Sequence, residues 1–333
     1  MTIALDVGAK RIRSLSRAGS TLIAKASPTL CCFLPDKPSV RHLLENAGAK
    51  FARAGEQLVI WGNSAEDLTK QCAVKTEHLL VRNPFRKAKE SIAEPLKHVM
   101  NLLLPPASSE GEICCFAAVS DDLHGDWLEA EVISRGYRAV ACSAGLALAL
   151  AELVREQFTG IAMVFGGSRS EAAFVRDGRQ VFRCELPRGG EAIDQSIAIS
   201  EDRYWWSMSG FRELETDSII QWKESLGRAI IEPEAPREER LLNGYHQLVG
   251  ELTALCETTF PPAELPDRLA VVAGGGATRL AGFGQIMRRH LAESTLPFDL
   301  ETMRIESAES TIPRGLLIYA ELKQRGLPRR RAA

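Results

Sequence analysis

The sequence predicts a two-domain α/β protein, each domain a mixed central sheet flanked by helices. Three observations carry this. The chain opens with an apolar strand, Thr2-Ile3-Ala4-Leu5, that runs into Asp6-Val7-Gly8 and a second strand; the same order returns at Ile161-Ala162-Met163-Val164 and Gly166-Gly167. Strand-like runs then alternate with helix-periodic segments, the pattern of a parallel or mixed sheet covered by helices. The length, 333 residues, suits about two ordinary domains.

The elements follow in order. After the first strand, the alternation Ile12, Ser14, Ser16 gives a partner strand and an opening hairpin. Residues 27–62, with Pro28, Pro35 and Pro38, read as irregular apart from a helix over 40–54 and a strand over 58–61. Asn63 or Ser64 can cap a helix to Lys70. Ile92, Leu96, Val99, Leu102 and Leu103 share one face of a helix within 87–104. A strand at 113–119, a helix at 127–135, a strand at 137–142 and a helix at 146–157 complete the first half. In the second half, strands at 161–164 and 171–175 precede Asp177-Gly178, a good hairpin turn, and a third strand at 180–185. Helices at 191–199, 213–227 and 237–258 follow, then a strand at 269–272, a helix near 282–292 and a last helix at 311–325. The domains are expected at 1–155, with a small insertion at about 31–72, and at 156–326, with an insertion at about 199–250. Residues 327–333 form a basic tail.

Composition excludes several classes. With 45% hydrophobic residues, 25% charged and a net charge of -2, the chain is an ordinary globular protein with no electrostatic reason to favour nucleic acid. No apolar run reaches the roughly 20 residues of a spanning helix, and the N-terminus lacks a signal-peptide pattern. The eight cysteines include no C-x-x-C pair, so they read as buried thiols of a reducing compartment. A cytoplasmic location is the expectation.

Glycine turns after strands let backbone approach phosphates and aim N–H groups at them. Read singly, each serves tight packing as readily. Here three follow apolar strands, near residues 8, 166 and 275. The first, Ile3-Ala4-Leu5-Asp6-Val7-Gly8, resembles the first phosphate motif of the actin, Hsp70 and sugar-kinase superfamily. Val164-Phe165-Gly166-Gly167-Ser168-Arg169-Ser170-Glu171 sits where the second phosphate motif belongs, and Arg188-Gly189-Gly190-Glu191-Ala192-Ile193-Asp194 is similar to the stretch that follows it in bacterial actins. Val271-Val272-Ala273-Gly274-Gly275-Gly276-Ala277-Thr278-Arg279-Leu280-Ala281-Gly282-Phe283 looks like the adenosine motif. Ile312-Pro313-Arg314-Gly315-Leu316 fits the start of the family's last helix. The chain as a whole resembles the rod-shape (MreB-type) branch.

That resemblance implies two actin-like, ribonuclease H-like domains around a cleft that holds ATP or ADP with a magnesium ion. Gly8, Lys10, Gly166, Gly167, Ser168, Arg169, Lys223, Gly274, Gly275 and Gly276 would be the nucleotide contacts. Hydrolysis needs carboxylates that hold metal-bound water and orient the attacking water. Asp6 matches one such position and is the retained catalytic and metal candidate, acting on the metal through water; a strand-end cap is its bland alternative. Val164 stands where the second phosphate motif carries aspartate, and Ser168 and Arg169 replace a glycine and a threonine. The segment Val140 to Ala149 has no glutamate where the family positions its water, and Ile220 replaces the usual ribose glutamate. Lys223 reads either as an exposed helix lysine or as a ribose or base contact. Lys10 and Arg169 read either as solvated charges or as cations that neutralise phosphate in place of part of the metal.

The expected function is therefore an actin-like protein that binds an adenine nucleotide with little or no turnover and works by self-assembly or as a conformational adaptor. A slow ATPase using Glu171 or Asp194, and a nucleotide-free scaffold resembling pilus-assembly or division adaptors, are the rivals. The six histidines show no metal-ligand spacing, and Asp121-Asp122 with His124 reads as a polar loop. Tyr204-Trp205-Trp206 with Phe211 reads as a small core or as a subunit or partner contact. Arg329-Arg330-Arg331 offers about 1 kcal/mol per charge to an anionic surface, screened by salt, so the tail reads as solubilising.

Overall fold

The computed structural model describes residues 2–71, 76–79, 90–117, 123–206, 212–230 and 232–325. Asp121, Asp122, Phe211 and the basic tail lie outside them. The chain forms two compact units, 1–143 with 316–333, and 144–315.

The first unit begins with an antiparallel meander, β1 (Thr2–Val7), β2 (Arg11–Ala18) and β3 (Thr21–Pro28). An inserted layer follows: β4 (Leu30–Pro35), α1 (Pro38–Asn46), β5 (Phe51–Ala54), β6 (Gln57–Trp61), α2 (Asn63–Gln71) and β7 (Thr76–His78). Its sheet runs β5-β6-β4-β7. After α3 (Glu90–Leu103), β8 (Ile113–Ala117) lies parallel to β1; α4 (Leu123–Ser134) leads to β9 (Arg138–Cys142), parallel to β8.

The inserted sheet uses both faces, because successive strand side chains point oppositely. Cys31, Val59 and Trp61 join the core of β1, α3 and β8, while Cys32, Leu58 and Ile60 pack with Leu44 and Ala65 of the two small helices. The prolines of 27–62 mark element ends rather than irregular chain. Pro28 closes β3, Pro35 closes β4, and Pro38 starts α1, where its missing N–H costs nothing. The helix expected over 40–54 accordingly stops at Asn46, and Phe51–Ala54 pairs with β6 instead.

The second unit repeats the first plan. After α5 (Ala144–Glu152) come β10 (Gly160–Phe165), β11 (Ser170–Arg176) and β12 (Arg179–Leu186) as an antiparallel meander. Asp177 and Gly178 both take positive φ, at 51° and 73°, the geometry that suits a tight hairpin. α6 (Gly190–Ser200), the hairpin β13 (Tyr204–Trp206) and β14 (Arg212–Leu214), α7 (Asp217–Ser225) and α8 (Pro236–Thr259) follow. β15 (Val271–Gly274) runs parallel to β10; after α9 (Phe283–Glu293), β16 (Arg304–Glu306) runs parallel to β15. The two five-stranded sheets thus share one order, β3-β2-β1-β8-β9 and β12-β11-β10-β15-β16. The last helix, α10 (Thr311–Arg325), begins in the second unit, and its residues from Leu316 belong to the first.

Leu241, Tyr245, Leu248, Val249, Leu252 and Cys256 form the buried stripe of α8 and meet Phe165, Phe174 and Phe283 in the second core. The seven described cysteines are buried thiols. Among the described residues no helix is long and apolar enough to cross a membrane.

Candidate functional site

In the first unit the hairpin turn after β1 is held by the Gly8 N–H donating to the Arg11 carbonyl at 3.1 Å. A Cβ on Gly8 would lie 3.0 Å from that carbonyl oxygen and 3.9 Å from Nη1 of Arg13. Strand register sets Arg13 directly opposite Asp6, and its Nη1 donates to Asp6 Oδ2 at 3.4 Å. Both side chains are largely covered, at 16% exposure for Asp6 and 20% for Arg13. Burial raises the Asp6 carboxyl above its usual range, and Arg13 pulls it back. Lys10 sits in the turn, where its carbonyl accepts from the Thr29 N–H at 3.0 Å. Thr29 Oγ1 donates to the Ala9 carbonyl and lies 3.0 Å from His78 Nδ1. Burial first, then the Lys10 charge, hold His78 at about 4.

In the second unit three glycine segments converge. The Gly166 N–H donates to the Arg169 carbonyl at 2.9 Å, closing the turn between β10 and β11 with Ser168 exposed near its tip. The carbonyls of Gly166 and Gly167 in turn accept from the N–H groups of Gly190 and Glu191, at 3.0 and 2.9 Å. A Cβ on Gly189 would sit 2.4 Å from the Gly167 oxygen, and one on Gly275, whose φ is +104°, would sit 2.4 Å from the Phe165 oxygen. Gly274 is buried against Leu148 and the Glu306 carbonyl. Gly276 is exposed, with nothing within 4 Å of the place its Cβ would take. Gly166, Gly167, Gly274, Gly275 and Gly276 are thus brought together, and neighbouring atoms leave no room for a Cβ at Gly166 and Gly275 and little at Gly274.

The charged groups nearby are engaged. Arg169 donates from Nη1 to Glu185 Oε1 at 2.5 Å, and Arg183 bridges Glu185 Oε2 at 3.2 Å and Glu171 Oε2 at 2.6 Å. Glu171, 5% exposed, accepts on Oε1 from the Gly145 N–H in the first turn of α5, a position where helix amides favour an anion. Burial raises its carboxyl, while Arg183 and the Gly145 N–H act the other way. Val164 lies opposite Glu171 in the ladder and supplies no ligand. Lys223 of α7 reaches Asp194 of α6, which is 1% exposed. The structure thus places Lys223 in a largely buried ion pair.

Arg13, Arg183 and Glu185 are site residues the sequence reading did not single out. Arg13 could have been found by counting across the first hairpin, since Val7 opposite Ile12 sets Asp6 opposite Arg13. The β11–β12 register sets Glu171 opposite Glu185, and Arg183 donates to both carboxylates. The aromatic segment is mixed. Tyr204 stacks under the Arg212 guanidinium at 3.8 Å, while Trp206 is 72% exposed. Among the described residues no group of three or more His, Cys, Asp or Glu could hold a metal ion.

No curated protein matches the sequence. Solved structures match it across nearly its full length. MreB5 of Spiroplasma citri bound to ADP is 13% identical, covering 97% of this chain and 97% of that chain, with a TM-score of 0.65. The same protein bound to AMPPNP gives 13%, 97%, 97% and 0.64. The MamK double helical filament is 14% identical, covering 98% of this chain and 100% of that chain, with a TM-score of 0.64. What is shared at such identities is the actin-like fold of the MreB type. The family model described as Volactin matches residues 1–320, and the chain belongs to that family.

Proposed function

We propose that the chain is an actin-like protein that binds an adenine nucleotide, hydrolyses it poorly and works through self-assembly or as a nucleotide-sensitive adaptor. One observation carries the reading: the glycine turns that suit a phosphate chain are intact, while the carboxylates beside them are closed off by arginines. Gly8 and Lys10 in the first unit, and Gly166 to Arg169 with Gly274 to Gly276 in the second, are the groups that would hold ATP or ADP. Backbone amides and cations suit phosphate oxygens there. Asp6, opposed by Arg13, and Glu171, bound to Gly145 and Arg183, are poorly placed to activate water. A general base must reach the proton it takes, and Val164 leaves none at its own position. The fold likeness supports the same reading, since MreB5 has been solved with AMPPNP and with ADP and MamK as a double helical filament.

The test is a titration of the purified chain with ATP and ADP, joined to phosphate release and to sedimentation. Saturable binding with phosphate release at the buffer blank is expected, together with nucleotide-dependent pelleting or partner capture. Steady phosphate release well above the blank would remove the poor-hydrolysis part. A monomer in every nucleotide condition would remove self-assembly and leave the adaptor.

A further inference from the structure

The magnesium ion that the resemblance to the actin superfamily implies is the group that the residues present fit least. A divalent cation of this kind is held through water by hard oxygen ligands that carry negative charge. Asp6 faces a guanidinium across the sheet, Glu171 is spent on a helix N–H and on Arg183, and Asp194 is spent on Lys223. Val164, at the position where the resemblance calls for an aspartate, offers no oxygen. Every described carboxylate that sequence reasoning nominated therefore already faces a cation.

We propose that this chain binds its nucleotide without a divalent metal, with the Arg13 guanidinium beside the Gly8 turn supplying the positive charge that the metal supplies elsewhere. The inference rests on the nucleotide-binding reading above. Arg13 lies on the strand that returns from the Gly8 turn, and its Nη1 is 3.9 Å from the place a Gly8 Cβ would occupy and 3.4 Å from Asp6. The Gly8 N–H and the Arg11 carbonyl close the turn on themselves, so the group beside it that could draw a phosphate oxygen is the guanidinium. A planar fork of five donors can hold Asp6 on one edge and a phosphate on another. Its charge is permanent, whereas a metal would have to displace it from Asp6 against direct repulsion. Lys10 in the same turn adds a second positive charge. Asp6 then positions Arg13 and does not act as a metal-water ligand.

The experiment measures ADP and ATP affinity of the full chain by calorimetry, in excess EDTA and in millimolar magnesium, for the wild type, Arg13→Gln and Asp6→Asn. Wild-type affinity within about threefold in the two buffers is expected, with a loss of roughly tenfold or more in Arg13→Gln, the scale of one charge-assisted phosphate contact. Asp6→Asn, which removes the carboxylate that positions Arg13, should weaken binding to the same degree in the two buffers; a loss confined to magnesium would mark Asp6 as a metal-water ligand and overturn the proposal. Wild-type binding that is tenfold or more tighter with magnesium overturns the proposal, and this arm needs no variant to fold. Undiminished binding by a folded Arg13→Gln overturns the role of Arg13. Absence of nucleotide binding in both buffers overturns the underlying functional reading along with it.

Discussion

His78 and Lys223 show how far single side chains are set by what surrounds them. His78 is held at about 4 by burial and by Lys10, against an ordinary 6.5, so the native state keeps it neutral where the unfolded chain would protonate it. Unfolded protein then binds more protons between pH 6.5 and 4, and stability falls as pH drops through that window, by about 3 kcal/mol at ~1.4 kcal/mol per pH unit. Denaturant unfolding of wild type and His78→Gln at pH 7.5 and 4.5 checks this, the variant having the shallower acid limb. Lys223 and Asp194 form a pair with side chains 14% and 2% exposed. Removing one partner of such a pair leaves a buried charge and costs about 3–5 kcal/mol. Lys223→Met should therefore destabilise the chain strongly by urea midpoint, while a lysine serving only a ligand would lose affinity and not stability.

At the scale of elements, glycines that look alike in sequence do different work. Gly315 of α10 faces α5 so closely that a Cβ would fall 1.7 Å from the Ala147 carbonyl oxygen. Gly315→Ala must therefore push the two helices apart, at ~3 kcal/mol or more. Gly275→Ala meets both a positive φ and the Phe165 backbone, whereas Gly276→Ala meets open space and should change stability by less than about 0.5 kcal/mol. Thermal unfolding of the three variants separates them, and equal losses in Gly275→Ala and Gly276→Ala would contradict this geometry. The same contrast explains which elements sequence patterning revealed. α8 and the β10–β11–β12 meander were legible because one burial face and one hairpin turn dictate them. β3 was not: six of its eight residues are exposed, so no apolar alternation marks it, and its place comes from pairing with β2. β5 was missed although Gly48, at φ +63°, ends the helix before it; its four residues carry no alternation of their own, and pairing with β6 makes them a strand.

At the scale of the whole molecule, nucleotide that binds only the native state should raise stability by about 2.7 kcal/mol at 100 times Kd. The melting temperature should therefore rise with ADP, and by the same amount in EDTA as in magnesium. A rise confined to magnesium would favour the conventional metal site over Arg13. The repeated sheet order in the two units fits a chain in which each half presents one glycine turn after its first strand.

The sequence by itself determined the actin-like plan. Apolar strands, glycine turns and their order are local features, written where they act, and the missing Val164 and Ser143–Leu146 carboxylates are read directly from residue types. Only tertiary structure decided what the remaining charges do. Arg13 meets Asp6 across a hairpin, Glu171 meets Gly145 from 26 residues away, and Lys223 meets Asp194 from 29. Charge attraction depends on separation in space, and residue type alone does not tell a solvated lysine from one buried against an aspartate.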